Sequence, residues 1–266
     1  MEITGYVAAV LIGISLGLIG GGGSILTVPV LVYIFHLQPK LATSYSLFIV
    51  GITSLVGAIF NFTKGLVDYK TALLFGISSI STVFFTRKFI VHAIPENLII
   101  TGDFTLSASL LTMVLFAILM LLSSWSMIRN NKNQLTEKEF SIKQYALPKL
   151  MAYGIGVGLV TGLLGAGGGF LIIPTLVLLI GLPMKKAIGT SLLIIAMNSL
   201  LGFTGDIGEV PMDWKLLLTL TAIAIAGVFT GIAISKKISG EKLKKGFGWF
   251  VLLMGFYILA KELWFK

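Results

Sequence analysis

The sequence predicts an all-α, polytopic integral membrane protein built from two inverted repeats, each with glycine-broken short helices. Three observations carry that prediction. Hydrophobic residues make up 56% of the 266 positions and charged residues 12%, against roughly 25% charged in a soluble domain. The mean hydropathy is +0.99, so a bilayer must cover most of the surface. The stretch from Gly13 through Gly20, Gly21, Gly22, Gly23 and Ser24 to Pro29 recurs from Gly158 through Gly165, Ala166, Gly167, Gly168 and Gly169 to Pro174. The register then holds without a gap: residues 41–47 fall on 186–192, and Asp68-Tyr69-Lys70 falls on Asp213-Trp214-Lys215. Internal repeats whose apolar segments are interrupted at matching points mark transporter binding sites.

The apolar stretches in order are 5–19, 25–35, 42–61, 71–86 and 105–128, then 147–164, 170–182, 187–204, 215–234 and 246–264. This gives an N-terminal transmembrane repeat over 1–128, a polar cytoplasmic linker over 129–146 and a C-terminal transmembrane repeat over 147–266. The first apolar stretch is expected to stay in the protein, since no small-residue cleavage site in a polar context follows it. The first two segments of each half are short. Segment 25–35 is about 16 Å long at the helical rise, roughly half the hydrocarbon core. The glycine runs are therefore expected at depth, either at the tip of a re-entrant hairpin or between half-helices. Non-helical backbone there needs protein or a wet cavity around it.

The net charge of +9 follows the positive-inside rule. Arg129, Lys132, Lys138, Lys143 and Lys149 in and beside the linker, and Lys236, Lys237, Lys242, Lys244 and Lys245 near 235–245, are expected to be cytoplasmic. An even number of crossings then separates them, each half crosses an odd number of times, and the halves are inverted. Arg87-Lys88 runs against this scheme, which leaves it outside. Nucleic-acid binding is excluded, because the lysines sit in short loops rather than on one folded face. Cysteine is absent and there are two histidines, so no metal site or cofactor is predicted. The expected partners are a small anion and the lipid bilayer of the cell membrane, and a homo-oligomer is compatible with both.

Gly20, Gly21, Gly22 and Gly23 leave the backbone bare, so their amides can face a ligand. Gly165, Gly167, Gly168 and Gly169 do the same in the second half. Ser24 is expected as the N-cap of the following helix. A helix N-terminus offers free N–H groups and partial positive charge to an oxyanion. The competing reading of the glycines is close helix packing. No Gly-Lys-Ser/Thr follows, so the run is not a nucleotide-binding loop. Pro29 and Pro174 are expected to shape the short second helices.

Hydroxyls cluster at the start of the third segment of each half: Thr43, Ser44 and Ser46, then Thr190 and Ser191. They can donate to an oxyanion without adding a buried charge, or cap and back-bond within the helix. Lys40 and Lys185 stand at matching places just before them and are read as solvated at the interface. Asn61 and Asp206 also match and are expected at the interface, with Asp206 a candidate proton-coupling group. Asn198 falls inside a span. Asp68 and Asp213 mark loop-to-helix boundaries.

The duplicated glycine-rich segment, its proline and the Ala187-Ile188-Gly189-Thr190-Ser191 step resemble the sulfite exporter TauE/SafE (TSUP) family of membrane permeases. The first copy departs, with Thr43-Ser44-Tyr45-Ser46 where Gly-Thr-Ser is expected. The resemblance implies transport of sulfur-containing anions such as sulfite, thiosulfate or organosulfonates. The expected protein is therefore a permease, with one repeat rocking against the other around a midplane anion site. An anion channel with a glycine-lined constriction is the alternative. An embedded enzyme has no catalytic constellation in the sequence to support it.

Overall fold

The protein is described by a computed structural model over residues 2–91, 93, 97–101, 104–129, 147–164, 168–208 and 212–264. The first half contains α1 (Glu2–Ile19), α2 (Gly22–Tyr33), α3 (Pro39–Phe62), α4 (Tyr69–Phe85) and α5 (Ala108–Arg129). The second contains α6 (Leu147–Leu164), α7 (Gly169–Pro174), α8 (Met184–Thr204), α9 (Trp214–Ser235) and α10 (Gly240–Trp264). Each helix covers one predicted apolar stretch. α4 continues as a π-helical turn over Thr86–Val91, and α7 as one over Thr175–Leu179. A two-stranded antiparallel hairpin, β1 (Asn97–Thr101) and β2 (Phe104–Ser107), precedes α5. The fifth segment accordingly starts its helix at Ala108, three residues later than the apolar stretch.

Among the described residues, five helices are long and apolar enough to cross a membrane: Pro39–Phe62, Tyr69–Val91, Met184–Thr204, Trp214–Ser235 and Gly240–Glu262. Their outer faces carry exposed large apolar side chains, among them Ile59, Leu73, Ile77, Leu218, Phe229, Leu253 and Phe256. In water such a surface would be unstable; against lipid it costs nothing. The protein is a multi-pass membrane protein.

Close contacts at glycines fix how the helices run. Gly13 and Gly17 of α1 meet Ala224 to Ile232 of α9 in rising order, so these two helices are parallel. Gly154, Gly158 and Gly162 of α6 meet Phe75 to Thr86 along α4 in the same sense. Small residues let these backbones touch. In contrast, α3 and α8 are antiparallel, with Gly51 against Leu200 and Gly57 against Leu192. So are α5 and α10, where Gly248 meets Ile128 and Gly255 meets Leu121. The two sequence halves therefore interlock rather than sit side by side. Helix one of each half packs on helix four of the other, and helices three and five pack on their own counterparts.

α1 and α2 form an antiparallel hairpin. Gly5 packs on Phe35 at its base, and Gly23 packs on Ile12 and Leu16 near its tip. The hairpin alternative for the first glycine run is the one adopted. The run caps the hairpin, with Gly20 at φ +80°, a backbone region that glycine enters without strain. Pro29 lies inside α2, and Pro174 ends α7 where the π-helical turn begins.

The same contacts sort the charges. Gly248 beside Ile128, Gly240 beside Met184 and Gly189 beside Leu66 put these helix ends at one face. Arg129, Lys64, Lys70, Lys149, Lys185, Lys186, Lys236, Lys237, Lys242, Lys244 and Lys245 belong to that basic face. Lys40, Lys88, Lys215 and Lys261 belong to the opposite one. The asymmetry is the positive-inside pattern. Of the predicted linker, residues 130–146 lie outside the described residues.

Candidate functional site

The two glycine-run tips meet. A Cβ on Gly21 would fall inside the backbone of Gly169, and one on Gly169 would strike the backbone of Gly21. Gly20 lies beside Ser191, Ile173 and Ile188. Gly168, at φ +71°, lies against Thr161. Gly22 opens α2. Gly165 and Gly167 lie outside the described residues. In this conformation the glycines serve close backbone approach, and the first turn of α2 is placed where they converge. The first amides of a helix have no intrahelical partner.

Ser24 is not the N-cap of α2. Gly21 holds that position, and Ser24 sits in the first turn and donates its hydroxyl to the Gly21 carbonyl at 2.7 Å. The helix starts three residues earlier than the apolar pattern implies, because glycine itself can end the hairpin tip and begin the helix.

The hydroxyl clusters divide by role. Thr43 donates to the Lys40 carbonyl at 2.8 Å, and Ser191 donates to the Ile188 carbonyl at 2.9 Å. Thr190 accepts the backbone N–H of Asp68 at 2.9 Å, and Tyr45, its register counterpart, accepts that of Asp213. Asp68 and Asp213 in turn N-cap α4 and α9, accepting from the amides of Thr71 and Leu216 at 2.9 and 3.1 Å. Each half thus ties down the start of the other half's fourth helix. Ser46 is buried without a hydrogen-bond partner. Lys40 and Lys185 are exposed, as solvated interfacial lysines should be.

A second polar step was not singled out from sequence. Thr53-Ser54 in α3 falls in register on Asn198-Ser199 in α8. The antiparallel crossing of α3 and α8 brings these equivalent positions to its centre. Ser79 of α4 donates to Asn198 Oδ1 at 2.9 Å. The hydroxyls of Ser54, Ser199 and Thr161, and the amide nitrogen of Asn198, are buried without a partner. A buried unpaired polar group costs roughly 1–3 kcal/mol, so each such group calls for an explanation.

Asn61 and Asp206 stand at helix ends and both are buried in the protein. Asn61 donates to the Gly57 carbonyl at 2.8 Å. Asp206 Oδ2 accepts from Ser44 at 2.6 Å and from Arg87 Nη2 at 2.7 Å. Arg87 is 2% exposed and Asp206 4%. The arginine that ran against the charge rule is spent inside the protein. Register matching did not reveal the pair, because the counterparts of Arg87 and Asp206 are Ile232 and Asn61. The visible signal was an arginine directly continuing an apolar stretch.

The family pattern of the sulfite exporter TauE/SafE matches residues 6–258. The chain belongs to that family. Similar relatives are named as probable membrane transporter proteins. One from Xylella fastidiosa is 27% identical over 255 residues, covering 95% of this chain and 92% of its own. YdhB of Bacillus subtilis is 28% identical over 224 residues, covering 83% and 85%. YunE of the same organism is 27% identical over 263 residues, covering 90% and 91%. No solved structure matches the chain. The family and its relatives make this protein a membrane transporter.

Proposed function

We propose that the protein is a carrier, not an enzyme, for small sulfur-containing oxyanions such as sulfite, thiosulfate or organosulfonates. The observation that carries the reading is the meeting of the Gly21 and Gly169 tips, with the unpartnered hydroxyl of Thr161 against Gly168. An oxyanion is an acceptor of several hydrogen bonds, and the surroundings are rich in donors. The site comprises Gly20 to Gly23, Ser24, Ser46 and Thr43-Ser44 from the first half. Gly165, Gly167, Gly168, Gly169, Thr190 and Ser191 come from the second, and Ser54 and Ser199 lie at the crossing. Ser46, Ser54 and Ser199 are its strongest members, because their hydroxyls are not engaged elsewhere. Thr190 holds the Asp68 amide and acts through position instead.

We read residues 1–128 and 147–266 as inverted repeats, joined by the linker at the cytoplasmic, basic face. The antiparallel pairing of the equivalent helices α3 with α8 and α5 with α10 supports this. Alternating access then proceeds by movement of mixed units, since α1 is held on α9 and α6 on α4. Rocking of one whole sequence half against the other would break both contacts.

Thermal stabilisation of the purified protein by a panel of anions tests the reading: sulfite, thiosulfate, sulfate, C2 and C3 sulfonates, and matched carboxylates. A ligand that binds the folded state raises the melting temperature by mass action. Selective stabilisation by a sulfur oxyanion, reduced in Ser54→Ala/Ser199→Ala, is expected. Saturable vesicle flux distinguishes the carrier from a channel, whose flux stays linear in substrate. Stabilisation by carboxylates alone would refute the substrate class.

A further inference from the structure

Arg87, Asp206 and Ser44 join three helix ends from both halves: the π-helical end of α4, the end of α8 and the start of α3. Burying two ions costs several kcal/mol each before their attraction is counted. The fold does not require that cost. At the matching positions of the other end stand Ile232, Asn61 and Gly189, which pack without an ion. Arg87 lies within the span Tyr69–Val91 and Asp206 two residues past the end of the span Met184–Thr204, and an ionisable pair buried at such a place in a membrane protein marks a path for protons or ions. A π-helical turn is also a frequent mark of a functional position.

We propose that Arg87–Asp206 is the proton-coupling site of this transporter, with Asp206 carrying the proton and Arg87 the anion. The proposal rests on the carrier reading above. With Asp206 ionised, its carboxylate occupies the guanidinium of Arg87 and the hydroxyl of Ser44, and this end is held shut. A proton added to the Asp206 carboxylate cancels its charge and weakens the charge-assisted bond to Arg87. Arg87 Nη2, which held the carboxylate, then donates to an oxygen of the incoming oxyanion in its place. One proton enters with one anion. When Asp206 loses the proton its carboxylate returns to Arg87 and displaces the anion, so both leave the site together. For a monoanion the step is electroneutral.

Among the described residues, the groups facing Asp206 are few. α3 presents Ser44 and, through Arg87 at 3.5 Å, Thr43. The π-helical turn presents Arg87. Tyr45 and Asp213, close by, are bonded to each other. Lys40, a turn earlier on α3, is exposed.

The test uses purified full-length protein in vesicles and two probes, thiosulfate and a C2 sulfonate, neither of which titrates in the working range. Wild-type protein should accumulate the anion only when the outside is acid. Asp206→Asn should keep exchange of labelled for unlabelled anion but lose accumulation. Arg87→Ile/Asp206→Asn, which copies the residues already accepted at the other end, should fold and lose both. Accumulation in Asp206→Asn equal to wild type overturns the proposal. A second readout needs no substrate. The chain has no cysteine, so Ser46→Cys, buried just inside the pair, reports opening to an impermeant thiol reagent. Labelling divided by the thiolate fraction at each pH, which sets the reactivity of a cysteine, should rise about tenfold per pH unit of acidification, as a single titrating group dictates. So normalised, it should be fast at every pH once Asp206→Asn is added. Normalised labelling insensitive to pH in both backgrounds refutes the gate. If neither anion moves under any gradient, the sulfur-oxyanion reading fails, and the labelling still decides whether Asp206 is the protonated group.

Discussion

The two ends of the α3–α8 crossing are built on the same register and sealed by different chemistry. At one end Ser44, Arg87 and Asp206 form a buried charged cluster. Beside it Phe48 and Phe203 pack at a tilt and both meet Trp214 edge to face, with ring centroids 5.1 to 6.3 Å apart. At the other end the matching residues are Gly189, Ile232 and Asn61, and then Leu193, Ala58 and Tyr69. None of these six residues is acidic or basic, and Asn61 is satisfied by its own helix. A duplicated fold thus need not give a symmetric cycle. The repeat supplies the scaffold twice, and a few substitutions make one end hard to part and sensitive to protonation.

The comparison can be broken at four places. The largest effect is expected from removing one partner of the ion pair. Asp206→Ala removes the buried carboxylate that accepts from Arg87 Nη2 and should cost about 3–5 kcal/mol, whereas Asn61→Ala at the other end should cost about 1–3 kcal/mol. Melting curves in detergent compare them, and equal losses would mean the pair is an ordinary polar contact. Next is the cross-half anchor. Thr190→Val removes the acceptor for the Asp68 amide and should cost about 1–3 kcal/mol, with Thr190→Ser recovering most of it. A loss of anion affinity without loss of stability would instead make Thr190 a direct ligand. Third, the two N-caps are a control for symmetry. Asp68→Ala and Asp213→Ala should each cost about 1 kcal/mol, and a large difference would show that the halves differ beyond the gate.

The smallest effect concerns the basic end. The Lys64 ammonium lies 3.6 Å from the Phe60 ring centroid, with Lys236 over the same ring at 5.3 Å. Desolvation first, then a side-chain hydrogen bond with Lys236 and the charge of Lys236, hold Lys64 down at about 8 instead of its usual 10.5. A lysine lowered in the folded state opposes folding while it is charged, and that opposition fades as pH rises from about 8 towards 10.5. Stability should therefore climb slightly across that range. In Lys64→Met the climb should vanish, as melting temperature against pH will show.

The fold was largely legible in the chain. Apolar length and period marked each helix, and the duplicated glycine-proline step marked where the short ones turn. Asp68 and Asp213 were readable as helix starts because an N-cap is a local device. The site was less legible. Hydroxyls at 43, 44, 46, 190 and 191 look alike in sequence, yet only Ser46 is left without a partner, because bonding depends on which carbonyl or amide comes near. Thr53-Ser54 and Asn198-Ser199 share a register, but their place at the crossing needs the packing angle of α3 on α8.

By itself the sequence determined the solvent, the number of segments, the duplication and the place of the breaks, since these depend on composition and on neighbours along the chain. Only the tertiary structure decided that Gly21 meets Gly169, that α1 belongs with α9, and that Arg87 finds Asp206. Those pairings join residues more than a hundred positions apart. They are set by how two interlocked halves pack, which no local pattern encodes.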